Sequence, residues 1–300
     1  MEERIERILA RVPGWNLRDL IVTPIEGGIT NRNYKVEARG EAFVLRIGGE
    51  GTHLLGIDRR NEFVATSTAA GLGVGPEVIC FFEEEGAMIT RFIQGSPILP
   101  ETAAAPQTLR RIIDSIRRYH SGPPFPAKFS PFDTVRSYHK LAVERNVPFP
   151  PEAQHALEVM KEIETALGPV RRPVPCHNDL LAGNFLDDGT TVRILDWEYA
   201  GMGDPFFDLG NLAANQGLGA KEEEILLRHY FSSPRQRDKA HLSLQKLMSD
   251  LRESFWGFLQ CGASKLDFDY RRYAQSHLER FLNNASTPER PEWLKSITAS

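Results

Sequence analysis

At 300 residues the chain is long for a single compact core, so its length predicts two subdomains. Hydrophobic residues make up 41% and charged residues 25%, as in soluble globular proteins, and the net charge of −4 argues against nucleic-acid or membrane partners. The sequence contains no apolar run long enough to span a membrane, no signal peptide, and three scattered cysteines without metal-ligand spacing. These features favour a protein of the reducing cytoplasm. Nothing in the sequence indicates an oligomeric state.

The region before residue 95 has the pattern of an antiparallel sheet with one inserted helix. A short apolar segment, LIVTPI, precedes NYKVEA and AFVLRI, which alternate in polarity and meet at residues 39–40 in a predicted hairpin. A helix is predicted over about 58–70, and the glycines at 71 and 73 mark its end. PEVICFF and AMITRFI flank residues 83–86 as a second hairpin. The prediction is a five-stranded sheet with its helix after the third strand.

Helical spacing dominates the chain beyond residue 95. TLRRIIDSIRRYH is a predicted helix that ends in the proline-rich PPFPAKFSPFD, PPEAQHALEVMKEIETAL is another, and nearly everything after Lys221 has a helical pattern. Short strands and loops are predicted between them, in VPCHNDL, NFL and VRILDWEY. The predicted fold class is therefore α+β, with residues 1–95 as one lobe and residues 96–300 as a mainly helical second lobe.

Three polar residues stand close together in those loops, within CHNDLLAGNFL and ILDWE. Asn184 follows Asp179 by five positions (184 − 179), and Asp196 follows it by seventeen (196 − 179). Oxygen ligands of this kind suit Mg²⁺, which binds through carboxylates together with phosphate oxygens. One carboxylate then remains to accept the proton of a hydroxyl, which is the arrangement found in kinases. Taken singly, each residue would equally serve to cap a turn or a helix.

The predicted sheet supplies a cation for that cluster. In AFVLRI, Arg46 projects from the face opposite to most of the apolar side chains, beside Val44, which suits the wall of an adenine pocket. Glu62 of the following helix is placed to pair with Arg46, as a strand lysine pairs with a helix glutamate in protein kinases. The alternative is an exposed edge-strand arginine and a solvated helix glutamate.

The turn EGGITNRNY joins the first two predicted strands. Gly27 and Gly28 let the backbone approach a phosphate, and Thr30 and Asn31 add short hydrogen-bond donors. A hairpin turn of ordinary function has the same composition, so the interpretation as a phosphate-binding turn depends on its position ahead of the Arg46 strand.

At these motifs the chain resembles the choline/ethanolamine kinase branch of the aminoglycoside-phosphotransferase-like kinases. The resemblance rests on GGITN, FVLRIGG, HNDLLAGN, ILDWEYAGMGDPFFDLGN, FWGFLQ and FDYRRYAQSHLERF, in this order between Gly27 and Phe281. The Asp-Trp-Glu-Tyr run, the strand arginine and the two late segments are the narrower signals for this branch. The resemblance implies a bilobal protein kinase-like fold, with a five-stranded antiparallel N-lobe and a mainly helical C-lobe. ATP and Mg²⁺ are the implied cofactors, with ATP between the lobes.

The same resemblance implies roles for individual residues. Asp179 corresponds to the catalytic base, Asn184 and Asp196 to the metal ligands, and Glu198 to a helper that orders metal or water. Asp208 corresponds to an acid that braces the catalytic loop. The implied nucleotide contacts are Gly28, Thr30, Asn31, Arg46 with its partner Glu62, and Ile93 and Gln94 at the adenine.

An aromatic pocket is implied for the acceptor, because a quaternary ammonium has no N–H to donate and is held by ring faces. The matching positions are Tyr199, Trp256, Tyr270 and Tyr273. Two positions depart from the eukaryotic pattern: Leu259 stands where a second tryptophan is expected, and Asn215 stands where an acid is expected. Asp204 or Glu198 is the candidate for the missing negative charge.

The expected function is a kinase that transfers the γ-phosphoryl group of Mg-ATP to the hydroxyl of choline, or next to that of ethanolamine. The small-molecule partner has two alternatives within the same chemistry, an aminoglycoside or another small alcohol such as a sugar or amino alcohol. A third hypothesis is a nucleotide-binding pseudokinase that has lost turnover.

Overall fold

The computed structural model describes residues 2–26, 31–49, 51–264 and 266–299. The N-terminal part is a five-stranded antiparallel sheet with strand order β1-β2-β3-β5-β4. Its strands are β1 (Ile21–Ile25), β2 (Asn31–Ala38), β3 (Glu41–Gly48), β4 (Val78–Phe82) and β5 (Ala87–Arg91). The predicted sheet and both of its hairpins are confirmed.

Strand β3 has the two faces that its sequence predicts. Phe43, Leu45 and Ile47 are buried on one face, where they share an apolar cluster with helix α1 (Glu3–Leu9). Arg46 lies on the other face of the pleat. Helix α1 therefore covers one face of the sheet, and Arg46 projects from the opposite face.

Helix α2 (Arg59–Gly71) follows the third strand, as predicted. The side chain of Asp58 caps its first turn by accepting hydrogen bonds from two main-chain N–H groups. Ala65 and Ala69 of α2 pack into the same apolar cluster as helix α4 (Pro106–His120). Helix α2 is thus anchored on the helical part of the molecule, although it belongs in sequence to the sheet.

The remainder of the chain is mainly helical. Besides α4, its helices are α3 (Pro100–Ala103), α5 (Pro131–Glu144), α6 (Glu152–Leu167), α7 (Pro205–Asn215), α8 (Ala220–Phe231), α9 (Gln236–Ala263), α10 (Tyr270–Ala285) and α11 (Arg290–Thr298). Helix α9, with 28 residues, packs against α5, α7, α10 and α11 and is the core of this part. No helix in the described ranges is both long and apolar enough to cross a bilayer.

Helix α5 was not expected from the sequence, where the proline-rich segment was interpreted as the end of the preceding helix. Pro131 occupies the first turn of α5, where a missing N–H costs nothing, and the hydroxyl of Ser130 accepts a hydrogen bond from the N–H of Asp133. The last proline of that segment therefore begins a helix.

Five short strands carry the loops between the helices, and three of them lie in the segments VPCHNDL, NFL and VRILDWEY, where strands were predicted. They are β6 (Ser96–Pro97), β7 (Val174–Cys176), β8 (Phe185–Asp187), β9 (Val192–Ile194) and β10 (Gly201–Gly203). Strand β8 pairs with β6 and β9, and β7 pairs with β10, all antiparallel. The segments 177–184 and 195–200 leave this framework as two adjacent loops.

Candidate active site

The loop after β7 is held from below by helix α7. The buried carboxylate of Asp208 accepts hydrogen bonds from the main-chain N–H groups of His177 at 2.8 Å and Asn178 at 2.7 Å. One helical turn later, Asn211 accepts one from the N–H of Leu180 at 2.5 Å. Three main-chain donors of the loop are thereby satisfied inside the protein, which fixes the loop's path. The geometry is that of the bracing acid expected from the sequence.

Two side chains of α4 also form hydrogen bonds with Asp208. Its Oδ2 also accepts a hydrogen bond from the hydroxyl of Tyr119 at 2.7 Å and contacts Nε2 of His120 at 3.0 Å. Burial opposes the charge of this carboxylate, but the bonds to His120 and Tyr119 keep the pKa of Asp208 below its usual range. His120, Cys176 and Asp208 are the described residues that approach metal-ligand spacing, yet this group is occupied with hydrogen bonds that hold the loop.

The backbone of both loops passes through the left-handed region. Asn178 has a φ of 67° and Asp196 a φ of 62°, a conformation that asparagine and aspartate tolerate better than other side chains. The Nδ2 group of Asn178 donates to the carbonyl of Tyr199 at 3.0 Å, which ties the two loops together. Such strain persists where the surrounding structure over-determines it, and it is concentrated at functional sites.

His177 orders this loop as a neutral ring. Its Nδ1 accepts a hydrogen bond from the N–H of Asp179 at 3.2 Å, and its Nε2 donates to the carbonyl of Leu195 at 2.8 Å. Both bonds are satisfied only by the neutral tautomer with hydrogen on Nε2. Burial accordingly lowers the pKa of His177 below its ordinary 6.5.

The neutral His177 makes stability depend on pH. Below pH 6.5 the unfolded chain protonates this histidine while the folded chain does not, so its contribution is complete above pH 6.5 and is lost as the pH falls. We expect unfolding free energy to decline between pH 6.5 and 5.5 by up to about 1.4 kcal/mol per pH unit from this group. Thermal or denaturant unfolding at both pH values tests this. His177→Gln should reduce the decline, whereas the exposed control His155→Gln should leave it unchanged.

Asp179 lies at the exit of the braced loop, facing a cavity. Burial raises its pKa to about 7, against the attraction of Arg252, whose Nη1 donates to Oδ1 of Asp179 at 3.0 Å. Nδ2 of Asn184 donates to the main-chain carbonyl of Asp179 at 2.8 Å, which leaves the amide oxygen of Asn184 available. The structure thus brings together the residues that the sequence motif placed five positions apart.

Arg46 reaches from the sheet to the second loop. Its Nη1 donates to Oδ1 of Asp196 at 2.5 Å and lies 3.7 Å from Oε2 of Glu198, and its Nη2 forms an ion pair with Glu62. The pairing of Arg46 with Glu62 is the one expected from the sequence. Burial and the charge of Asp196 raise the pKa of Glu198.

Arg59 joins the same network and was missed by the sequence interpretation. From the first turn of α2 it contacts Glu62 at 2.7 Å and Glu198 at 3.2 Å through Nη1, and it donates to Oδ1 of Asn31 at 3.1 Å. Oε2 of Glu198 also accepts a hydrogen bond from Nδ2 of Asn31 at 3.0 Å. A Cβ at Gly48 would lie 2.8 Å from Nη2 of Arg59, so any other residue at this position would require the Arg59 side chain to shift. The spacing of three between Arg59 and Glu62 was the available signal.

These loops, the sheet and α9 enclose a cavity of about 680 Å³. Its apolar end is lined by Val44, Met88, Phe92, Ile93, Leu186 and Leu195. Its middle is lined by Asn31, Arg46, Asp179, Asn184, Asp196 and Glu198. Its far end is lined by Tyr199, Arg252, Glu253, Trp256 and Tyr273. The cavity is therefore apolar at one end, highly charged in the middle, and aromatic with one acid at the other end.

Three of the expected contacts do not line this cavity in the described part of the chain: Glu62, Gln94 and Tyr270. Glu62 is buried as the ion-pair partner of Arg46 and does not reach the cavity itself. Tyr270 lies behind Trp256, with ring centroids 5.8 Å apart, and its hydroxyl hydrogen-bonds Ser264 at 2.9 Å. The side chain of Gln94 is exposed to solvent. The expectation of Tyr270 as a wall of the acceptor pocket is corrected, because it packs in a second layer. Gly28 and Thr30 lie outside the described residues.

The aromatic end contains charges that the sequence interpretation missed. Arg252 and Glu253 of α9 form a buried ion pair, and Oε2 of Glu253 accepts a hydrogen bond from the hydroxyl of Tyr273 at 2.7 Å. Asp204, one candidate for the missing negative charge, instead caps α7 and accepts hydrogen bonds from His241 and Gln245. The acid at this end of the cavity is Glu253.

Comparison with known proteins agrees with this geometry. The phosphotransferase enzyme family matches residues 21–241. A probable ethanolamine kinase A of Dictyostelium discoideum is 29% identical over 88% of this chain and 85% of its own length. The protein LicA of Haemophilus influenzae is 26% identical over 73% of this chain, and the match spans 65% of that protein.

A solved structure extends the similarity to the whole fold. The crystal structure of a choline/ethanolamine kinase family protein from Mesorhizobium loti superposes with a TM-score of 0.84 and is 33% identical, covering 99% of this chain and 98% of that one. The predicted α+β, kinase-like fold is thereby confirmed, as is the expectation of a phosphotransferase enzyme. The sheet, the two braced loops and the charged cavity are those of a member of the choline/ethanolamine kinase family, within the phosphotransferase enzyme family, and it is to this family that the chain belongs.

Proposed function

We propose that the protein is an ATP- and Mg²⁺-dependent kinase that transfers the γ-phosphoryl group to the hydroxyl of choline or ethanolamine in the cytoplasm. The observation that carries the proposal is the single cavity in which Asp179, Asn184, Asp196 and Arg46 lie between an apolar end and an aromatic end. Relatives named as ethanolamine kinase and as choline/ethanolamine kinase family support the choice of acceptor.

The nucleotide is assigned to the apolar end, between a lobe of residues 1–95 and a lobe of residues 96–300. Val44, Met88 and Ile93 offer the apolar walls that a purine needs, with the main chain around Gln94 at its edge. Arg46 stands next along the cavity, at the position for the phosphates. Gly28, Thr30 and Asn31 are proposed as further contacts of the phosphates.

The residues in the middle of the cavity fit a magnesium ion. Asn184 has a free amide oxygen and Asp196 a carboxylate that is partly exposed, and these hard oxygen donors together with phosphate oxygens are what Mg²⁺ prefers. Burial and the nearby charge of Asp196 raise the pKa of Glu198, and a carboxylate in this position would help to order metal or water. A bound Mg²⁺ would neutralise phosphate charge at this point.

Asp179 is proposed as the general base that takes the proton from the acceptor's hydroxyl. Its carboxylate faces the cavity between the proposed metal ligands and the aromatic end, and its raised pKa of about 7 suits a group that takes up a proton near neutral pH. Arg46 would stabilise the charge on the transferred group.

The cationic head of the acceptor is assigned to the aromatic end. Trp256, Tyr273 and Tyr199 offer ring faces to an ammonium group, and Glu253 supplies negative charge beside them. A single paired acid at this end favours a small cation over an aminoglycoside, which carries several ammonium groups.

The test is an ADP-release assay with a panel of choline, ethanolamine, aminoglycosides and sugars. The proposal predicts turnover with choline or ethanolamine that requires Mg²⁺. Turnover confined to an aminoglycoside or a sugar would move the protein to another acceptor class. ATP binding without turnover on any alcohol would support a pseudokinase.

Truncation of Trp256 tests the acceptor pocket. Trp256→Ala removes one ring face, so we expect the choline KM to rise about tenfold while the ATP KM stays within about twofold. Steady-state kinetics with each substrate varied provides the measurement. Tyr270→Phe is the matched control, because Tyr270 lies behind Trp256, and it should leave both constants unchanged. Equal increases in both KM values for Trp256→Ala would assign Trp256 to packing alone.

A further inference from the structure

Arg252 lies in the middle of α9 and is buried at the acceptor end of the cavity. Its side chain is 2% exposed. It precedes Trp256 by one helical turn, so both side chains project from the same face of the helix toward the cavity they line. Burying a guanidinium is costly unless its charge is paired. The surroundings of Arg252 therefore indicate what this charge is for.

Three groups fix the guanidinium in place. Its Nη1 donates to Oδ1 of Asp179 at 3.0 Å and also contacts Oε1 of Glu253. Its central carbon lies 4.6 Å from the centre of the Tyr199 ring, so one face of the planar group is stacked. Glu253 is itself held by the hydroxyl of Tyr273 at 2.7 Å. Arg252 cannot turn away from Asp179 without breaking several of these contacts.

The other two guanidinium nitrogens have no partner in the described part of the chain that would explain their burial. Nε and Nη2 of Arg252 are buried and have no hydrogen-bond partner among the described residues. Buried donors are nearly always paired in folded proteins, so such an exception calls for an explanation. Here the exception lies beside the proposed catalytic carboxylate, where the oxygen atoms of the substrates would arrive.

We propose that Arg252 is a positioning residue for phosphoryl transfer, which holds Oδ1 of Asp179 so that the second carboxylate oxygen faces the acceptor's hydroxyl. The proposal rests on the proposed function. In the step, the hydroxyl proton moves to that second oxygen of Asp179, and the acceptor oxygen forms a bond to the γ-phosphorus of ATP. The bond from the γ-phosphorus to its bridging oxygen breaks, and the electron pair leaves with ADP. Arg252 keeps the base aligned throughout and exchanges no proton.

The experiment compares Arg252→Ala with Arg280→Ala. Arg280 forms a similar pair with Asp250 of α9, Nε to Oδ1 at 2.6 Å, but lies outside the cavity lining. We expect Arg252→Ala to reduce kcat about 100-fold with the ATP KM unchanged, because a misplaced catalytic group costs about this factor. Millimolar guanidine should restore part of the kcat of Arg252→Ala and have no such effect on Arg280→Ala.

Arg252→Lys and Arg252→Gln extend the test if the alanine variant does not fold. Lysine retains the charge without the planar fork and should give a kcat between those of wild type and the glutamine variant. A kcat for the Arg252 variants equal to that of Arg280→Ala would overturn the positioning role and leave the kinase function standing. Failure of guanidine rescue in a folded alanine variant would also overturn it. A wild-type protein inactive on every alcohol would overturn both proposals.

Discussion

Asp179→Asn is expected to reduce kcat with choline by about 10³-fold while the protein remains folded and binds ATP. The substitution keeps the shape of the side chain and the contacts of residue 179 to His177 and Asn184, but it removes the carboxylate that we propose takes the acceptor's proton. Positioned general bases contribute about 10²–10⁴-fold to rate. Steady-state ADP release measures kcat, and calorimetric titration measures ATP affinity.

Asp114→Asn is the control for this prediction. Asp114 lies on the exposed side of α4, pairs with His229 and is not part of the cavity lining. Its kcat and ATP affinity should equal those of the wild type. An Asp179→Asn protein that turns over choline at the wild-type rate would show that the proton leaves by another route, and the assignment of Asp179 would fail.

The second large effect is on stability and comes from Asp208. The carboxylate of Asp208 accepts hydrogen bonds through both oxygens, from His177, Asn178, Tyr119 and His120. Asp208→Asn replaces one of these accepting oxygens by an NH₂ group, which can only donate. We expect the unfolding free energy to fall by about 3–5 kcal/mol, the usual range for breaking one side of a buried charged network. Denaturant unfolding gives the measurement. Activity of the folded fraction should fall as well, because the catalytic loop loses its brace.

Two further variants grade this effect. Tyr119→Phe removes a single donor to Asp208 and keeps the ring packed against Trp197, so its loss should be about 1 kcal/mol. Asp133→Asn breaks an exposed pair with Arg136 and should stay within about 0.5 kcal/mol of wild type. If Asp208→Asn were as stable as Asp133→Asn, the bracing role would be wrong.

The sheet and the loop motif could be predicted from sequence because both depend on short-range patterns. Alternation of polarity places Leu45 and Arg46 on opposite faces of a strand in any sheet. Asp179 and Asn184 belong to one loop, so their proximity follows from a spacing of five. The position of Asp196 could be predicted for a similar reason, since the short β8–β9 hairpin brings the chain back beside the loop that contains Asp179.

The acceptor end could not be predicted in the same way. Arg252 and Asp179 are 73 positions apart, and a charged pair on a long helix has the pattern of a solvated face until packing buries it. Tyr270 matched an aromatic position of the family, yet the packing of α10 on α9 places its ring behind Trp256. The proline at 131 led to the prediction of a loop where α5 begins. From sequence alone, a proline in the first turn of a helix cannot be told from a proline that ends one.

The most direct test of the account is a crystal structure with Mg²⁺, a non-hydrolysable ATP analogue and choline. The account predicts magnesium bound by Asn184 and Asp196, and a carboxylate oxygen of Asp179 within about 2.6–3.2 Å of the choline hydroxyl. Choline should lie against Trp256. A complex in which the Asp179 side chain points out of the cavity, remote from both the hydroxyl and the metal, would contradict it.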